Sequence, residues 1–68
     1  MEVRETGTST FGHVPHRLLG QRVVDTRSLR EGELRAVVAE GKGGLTAYIR
    51  GRDHREFEAP LACVRAAT

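Results

Sequence analysis

The sequence predicts a mostly-β fold, a small barrel of about five short strands with a flexible N-terminal arm. Two observations carry this. Residues 21–41, QRVVDTRSLREGELRAVVAEG, read as a short apolar strand, a polar turn, and a longer alternating segment that ends in glycine. Leu45 to Arg50 then alternates without a break, with Leu45, Ala47 and Ile49 on one face and Thr46, Tyr48 and Arg50 on the other. The organisation expected is an arm, residues 1–17, and a barrel domain, residues 18–68.

Residues 1–17 carry Thr6-Gly7-Thr8-Ser9-Thr10 and Phe11-Gly12-His13-Val14-Pro15-His16, small and polar with no apolar period, which fits a mobile arm. Leu18-Leu19-Gly20 is placed to plug one end of the barrel. In the first strand, Gln21 to Thr26, one of the β-branched pair Val23 and Val24 faces the core. Asp25 and Thr26 favour a turn, because their side chains can bond nearby backbone N–H groups.

Residues 28–40 admit two readings. Ser28 and Glu31 have the spacing of a helix capping box, Leu34, Val37 and Val38 stand at i, i+3, i+4, and Gly41 is a helix-stop glycine. Against a helix, Gly32 in its first turns costs roughly 1 kcal/mol relative to Ala. As a strand, Leu34, Ala36 and Val38 point inward, and Glu33, Arg35 and Val37 outward. Periodicity alone leaves both open.

Lys42-Gly43-Gly44 supplies a tight turn. After Leu45 to Arg50, Gly51 to His54 turns again, and Arg55 to Ala59 sets Phe57 and Ala59 against Glu56 and Glu58. Pro60 cannot donate to a ladder and ends that strand. Leu61 to Val64 reads as a 3₁₀-like turn and Val64 to Ala66 as a last short strand. The expected core is Leu19, Val23, Leu34, Ala36, Val38, Leu45, Ala47, Ile49, Phe57, Leu61 and Val64. Phe57 is its central aromatic, and on that reading Phe57→Ala costs about 3–5 kcal/mol.

The chain has 68 residues and no Trp, so the core rests on aliphatic side chains and is thin. Domains of this size rarely net more than about 3–5 kcal/mol, which makes a partner or a second copy a natural source of further stability. A single cysteine, Cys63, excludes an internal disulfide and makes a reducing cytoplasm the expected location. An apolar run such as Ala36 to Ala39 is far too short for a membrane span, and no signal-peptide apolar region follows the charged start. No membrane association is expected. The basic residues are ten Arg and one Lys, which fits a phosphate- or carboxylate-binding surface or a GC-rich codon bias.

Leu19-Gly20-Gln21-Arg22-Val23-Val24-Asp25, Gly32-Glu33-Leu34-Arg35-Ala36-Val37 and Pro60-Leu61-Ala62-Cys63-Val64 together resemble the SH3-like small barrels of the PRC-barrel type. In that type a leucine-glycine-x-x-V-x-D opening, a G-x-(V/L)-x-x-V strand and a P-L-x-x-V turn recur. Asp25-Thr26-Arg27, Gly32-Glu33 and Arg55-Glu56-Phe57 are also similar to a pattern in short uncharacterised actinobacterial proteins. The chain departs from the PRC pattern in its short linker at Lys42 to Gly44 and in the Ser28–Glu31 capping box. The resemblance implies a strand over the ambiguous segment. Barrels of this kind serve as adaptors, RNA-processing modules and nucleic-acid binders, so it does not fix a role.

His13, His16, His54 and Cys63 are the residues a zinc site would need, but their spacing matches no familiar finger. No cofactor is expected. Cys63, between Ala62 and Val64, fits a packed thiol better than a nucleophile. Glu31, Glu33, Glu56 and Glu58 would need a cleft to act as acid and base, and cross-strand pairing with Arg35, Arg50 or Arg55 accounts for them, so no enzymatic activity is expected. Two functions follow. A protein-interaction or regulatory module would offer its strand edges and an apolar patch of Val24, Val37 and Tyr48 to a partner or to a second copy. A nucleic-acid binder would stack bases on Tyr48 beside Arg50, Arg52 and Arg55. The candidate binding face is therefore Tyr48, Arg50, Arg52, Arg55, Arg35 and Val37, with a protein partner favoured.

Overall fold

The computed structural model describes residues 12–40 and 44–67. The expectations for Thr6 to Thr10, Phe11, Gly41 and the Lys42–Gly43 part of the hairpin turn fall outside these residues. Among them the chain forms six strands: β1 (Gly12–His13), β2 (Arg22–Asp25), β3 (Arg30–Ala39), β4 (Leu45–Gly51), β5 (Glu56–Pro60) and β6 (Val64–Ala66). A single 3₁₀ turn, Leu61–Cys63, separates β5 from β6. The sheet is antiparallel in the order β5-β4-β3-β2-β6, with β1 paired separately to β3. The path ends at β5 and β6, so the described sheet is open rather than a closed barrel. Among the described residues no helix is long and apolar enough to cross a membrane.

The segment that could have been helix is the longest strand. Ser28 is spent on the turn, where its hydroxyl donates to Asp25 Oδ2 at 3.0 Å and accepts from the Arg30 N–H at 3.3 Å. Gly32 marks a close approach of the two strands here. It faces Gly51 across the ladder, and a Cβ at Gly32 would collide with the Arg50 carbonyl oxygen and stand 2.8 Å from Ile49 Cγ2. Only glycine permits this close approach of β3 and β4.

Between Leu34, opposite Ile49, and Ala36, opposite Tyr48, the β3–β4 register shifts, leaving Arg35 as the extra residue of a β-bulge. The bulge reverses the alternation. Gly32 and Leu34 are buried before it; Val37 is buried after it, while Ala36 and Val38 turn to the other face and are only half-buried. The strict period-2 expectation for Ala36, Val37 and Val38 is thus inverted. An inward pair three residues apart, Leu34 and Val37, is what gave this strand its helical look.

The other edge of β3 is shared. β2 pairs with residues 30–33, and β1 pairs His13 with Val38 and Gly12 with Ala39. The Val14 N–H donates to the Val37 carbonyl at 2.8 Å, and the Gly20 N–H to that of Leu34 at 2.9 Å. Between these anchors the chain loops out past Pro15 and returns through Gly20, whose φ of +81° lies in the left-handed region. The sheet-bound chain therefore begins before the expected boundary at residue 17.

Val23, Leu34, Val37, Ala47, Ile49, Ala59 and Val64 form the buried core, with Val14, Leu18, Phe57 and Leu61 packed around it. Leu19 and Leu45, expected inside, are exposed: Leu19 lies in the loop before β2, and Leu45 at the open end of β4. Phe57 is half-buried, one ring face covered by the Arg30 guanidinium at 3.9 Å, so it borders the core rather than centring it.

Asp25 closes the β2–β3 turn and is buried. Its Oδ1 accepts the Arg27 N–H at 3.1 Å and faces the Arg27 guanidinium at 3.4 Å, and the Leu29 N–H donates to its carbonyl at 2.7 Å. The next residue, Thr26, ties the turn to the 3₁₀ segment through its N–H and hydroxyl, both on the Cys63 carbonyl.

Burial alone would raise the Asp25 pKa, but the Arg27 N–H, the Arg27 guanidinium and the Ser28 hydroxyl together hold it below the ordinary value. A folded pKa below the unfolded value gives stability that is present above about pH 3.9 and lost as pH falls through the folded value. In a melting series from neutral to acid pH, Asp25→Asn should therefore show a smaller acid-dependent loss than the parent chain; parallel curves would contradict this. Leu34→Ala should cost about 2–5 kcal/mol and Phe57→Ala less. Gly32→Ala should cost about 1–3 kcal/mol. Urea unfolding of the three variants orders them, and a Gly32→Ala protein as stable as the parent would contradict the close approach.

Candidate functional site

The outer face of the sheet is built from side chains that alternate with the core. β4 contributes Thr46, Tyr48 and Arg50; β5 contributes Glu56 and Glu58; the half of β3 beyond the bulge contributes Ala36 and Val38. A shallow open groove of about 440 Å³ lies across this face, lined by His13, Arg35, Ala36, Val38, Tyr48 and Glu56. Its lining mixes polar and apolar groups; the apolar part includes Ala36 and Val38, which the bulge has turned outward beside Tyr48. His13 reaches it because β1 pairs with the end of β3.

The predicted face is divided. Tyr48 and Arg35 meet in the groove. Arg50 lies on the same face of β4, with Glu33 of β3 and Glu56 of β5 as its ladder neighbours. Arg55 lies in the β4–β5 turn, 3.7 Å from Asp53. Arg52 belongs to a separate depression at that end of the sheet, with Arg22, Leu29 and Arg30. Val37 is fully buried and belongs to the core, a correction that follows from the bulge. Ala36, Val38, His13 and Glu56 join the site in its place. The spacing of Leu34 and Val37 was compatible with a bulged strand but did not demand one, because the extra residue is defined only against the partner strand β4.

The charges on this face are interleaved rather than one-sided. The Arg35 guanidinium donates to Glu33 at 3.3 Å, and that of Arg22 to Glu31 at 3.4 Å. Both are exposed pairs of small energetic worth. They matter for sign, since each guanidinium brings its own carboxylate. Around Tyr48 the balance is negative. Glu58 is its direct ladder partner, and the Glu58 charge, partial burial and the Glu40 charge raise the phenol pKa, in that order of importance.

The other chemistry-bearing residues do not converge. His54 sits in the β4–β5 turn with φ +65°, and Cys63 ends the 3₁₀ turn, half-buried. Among the described residues no three His, Cys, Asp or Glu side chains are grouped to hold a metal ion. Comparison of the chain with family models, with curated proteins and with solved structures returned no match.

Tyr48 is the sole tyrosine and there is no tryptophan, so its ionisation is directly readable by ultraviolet difference absorbance. The phenol should ionise above the ordinary tyrosine range, and Glu58→Gln should bring the midpoint back towards it. A midpoint indifferent to Glu58 would mean that the carboxylate does not act on the ring.

Proposed function

We propose that this chain is a non-enzymatic protein-interaction or regulatory module of the cytoplasm, built on the plan of a small SH3-like, PRC-type barrel, and that its partner docks in the outer-face groove around Tyr48. One observation carries the reading. On a face otherwise studded with charged side chains, the β3 bulge brings Ala36 and Val38 beside Tyr48 as an apolar patch among polar neighbours. An aromatic anchor in such a setting is the usual centre of a protein interface. The barrel plan is supported by the strand order: after the Pro60-Leu61 turn, the last strand crosses back to pair with β2.

The competing reading, a nucleic-acid binder, draws on the same Tyr48 and arginines. A polyphosphate is favoured by a one-signed surface. Here Glu33 and Glu56 flank Arg50, and Glu58 faces Tyr48. The arrangement favours a polypeptide partner.

A native pull-down from the source lysate, with and without nuclease, tests this. A protein partner should survive nuclease and be lost with Ala36→Gln, which fills the groove without changing its charge, while the melting temperature of that variant stays near the parent value. Recovery of nucleic acid alone, or a partner retained undiminished by Ala36→Gln, would overturn the proposal.

A further inference from the structure

The docking reading leaves the chemistry of the occupant open, and the surroundings of Tyr48 narrow it. We infer that the groove takes a cationic side chain, arginine or lysine, from the partner polypeptide, seated against the Tyr48 ring with the carboxylates of Glu58 and Glu56 beside it. The inference rests on the docking proposal above and adds the partner's chemistry to it.

Three independent features point the same way. First, an aromatic ring presents negative charge at its face and attracts a guanidinium or ammonium placed over it, more strongly when the site is partly desolvated. Tyr48 is half-buried, with Ala36 and Val38 excluding water on one side. Second, the strand registers set carboxylates about the ring. Glu58 is the ladder partner of Tyr48 on β5 and borders the neighbouring depression, and Glu56 lines the groove opposite Arg50. Together with Glu40 at the end of β3, Glu58 gives the phenol a negative environment, which its raised pKa reflects. Third, the guanidinium that shares the groove is already turned to a carboxylate of its own strand, Arg35 to Glu33 at 3.3 Å. The chain uses the same chemistry internally, where the Arg30 guanidinium covers the Phe57 ring at 3.9 Å. A partner presenting carboxylates or phosphates would meet the Glu58 charge beside the ring, whereas a basic segment gains from both ring and carboxylate.

The test uses the full chain and three probes: a short glycine–arginine peptide, a glycine–glutamate peptide of equal length, and a single-stranded oligonucleotide. Tyrosine emission reports Tyr48 alone. The arginine peptide should give a saturable change that the other two do not. Glu58→Gln should weaken it about 2- to 5-fold, the scale of a pair interaction of about 0.5–1 kcal/mol. Backbone amide shifts of β4 should show that Tyr48→Phe retains binding and Tyr48→Leu loses it. The inference fails if the arginine peptide gives no saturable change at millimolar concentration, if the acidic peptide or oligonucleotide binds equally well, or if Glu58→Gln binds as the parent does. A captured partner lost with Ala36→Gln but bound without any basic segment would overturn the cationic occupant and leave the docking groove standing.

Discussion

The bulge at Arg35 is the constraint on which the rest of the molecule depends. One extra residue between Leu34 and Ala36 reverses which side chains of β3 face the core. Before it, Gly32 and Leu34 point inward; after it, Val37 does. A bulge also bends its strand and increases its twist. Here it stands where the opposite edge of β3 changes partner, with Gly20 and Gln21 bonded to Leu34 on one side and Val14 to Val37 on the other. Core, sheet edge and outer-face groove all take their composition from that one position.

Two further devices keep this long strand in place. At Gly32 the backbones of β3 and β4 approach so closely that a side chain has no room, which lets Ile49 and Leu34 meet in the centre of the core. At the β2–β3 turn, the buried Asp25 carboxylate collects donors from Arg27 and Ser28, and Thr26 bonds the carbonyl of Cys63. The turn is thereby fastened to the segment that leads into β6. In a domain with so few large apolar residues, such polar fastening replaces part of what a larger core would supply.

The outer face joins two properties that the fold brings together. The bulge supplies the apolar side chains Ala36 and Val38 beside Tyr48, and the antiparallel registers with β5 supply Glu56 and Glu58 nearby. Arginine is the dominant basic residue of the chain, yet on this face Arg22 and Arg35 each bond a carboxylate and Arg50 stands between two. The surface is therefore patterned in both signs, the feature on which the proposal of a polypeptide partner rests.

Much of the architecture was legible in the residues themselves. The alternation of Leu45 to Arg50, the strand break at Pro60, the 3₁₀ turn at Leu61, the last strand from Val64 to Ala66 and the turn role of Asp25 all follow from local rules of side-chain period, proline chemistry and side-chain-to-backbone bonding. Tyr48 and Arg35 were recognisable as surface candidates for the same reason. Strand against helix over residues 28–40 was not decidable locally, because Leu34 and Val37 fit a helical spacing and a bulged strand equally well. Only pairing with β4 resolves them, since the extra residue exists relative to a partner strand. The same tertiary fact moved Val37 into the core, brought Ala36 and Val38 to the groove, and placed Glu58 against Tyr48 rather than at an arbitrary point on the surface. Sequence determined the faces of each regular strand; register between strands decided which faces met.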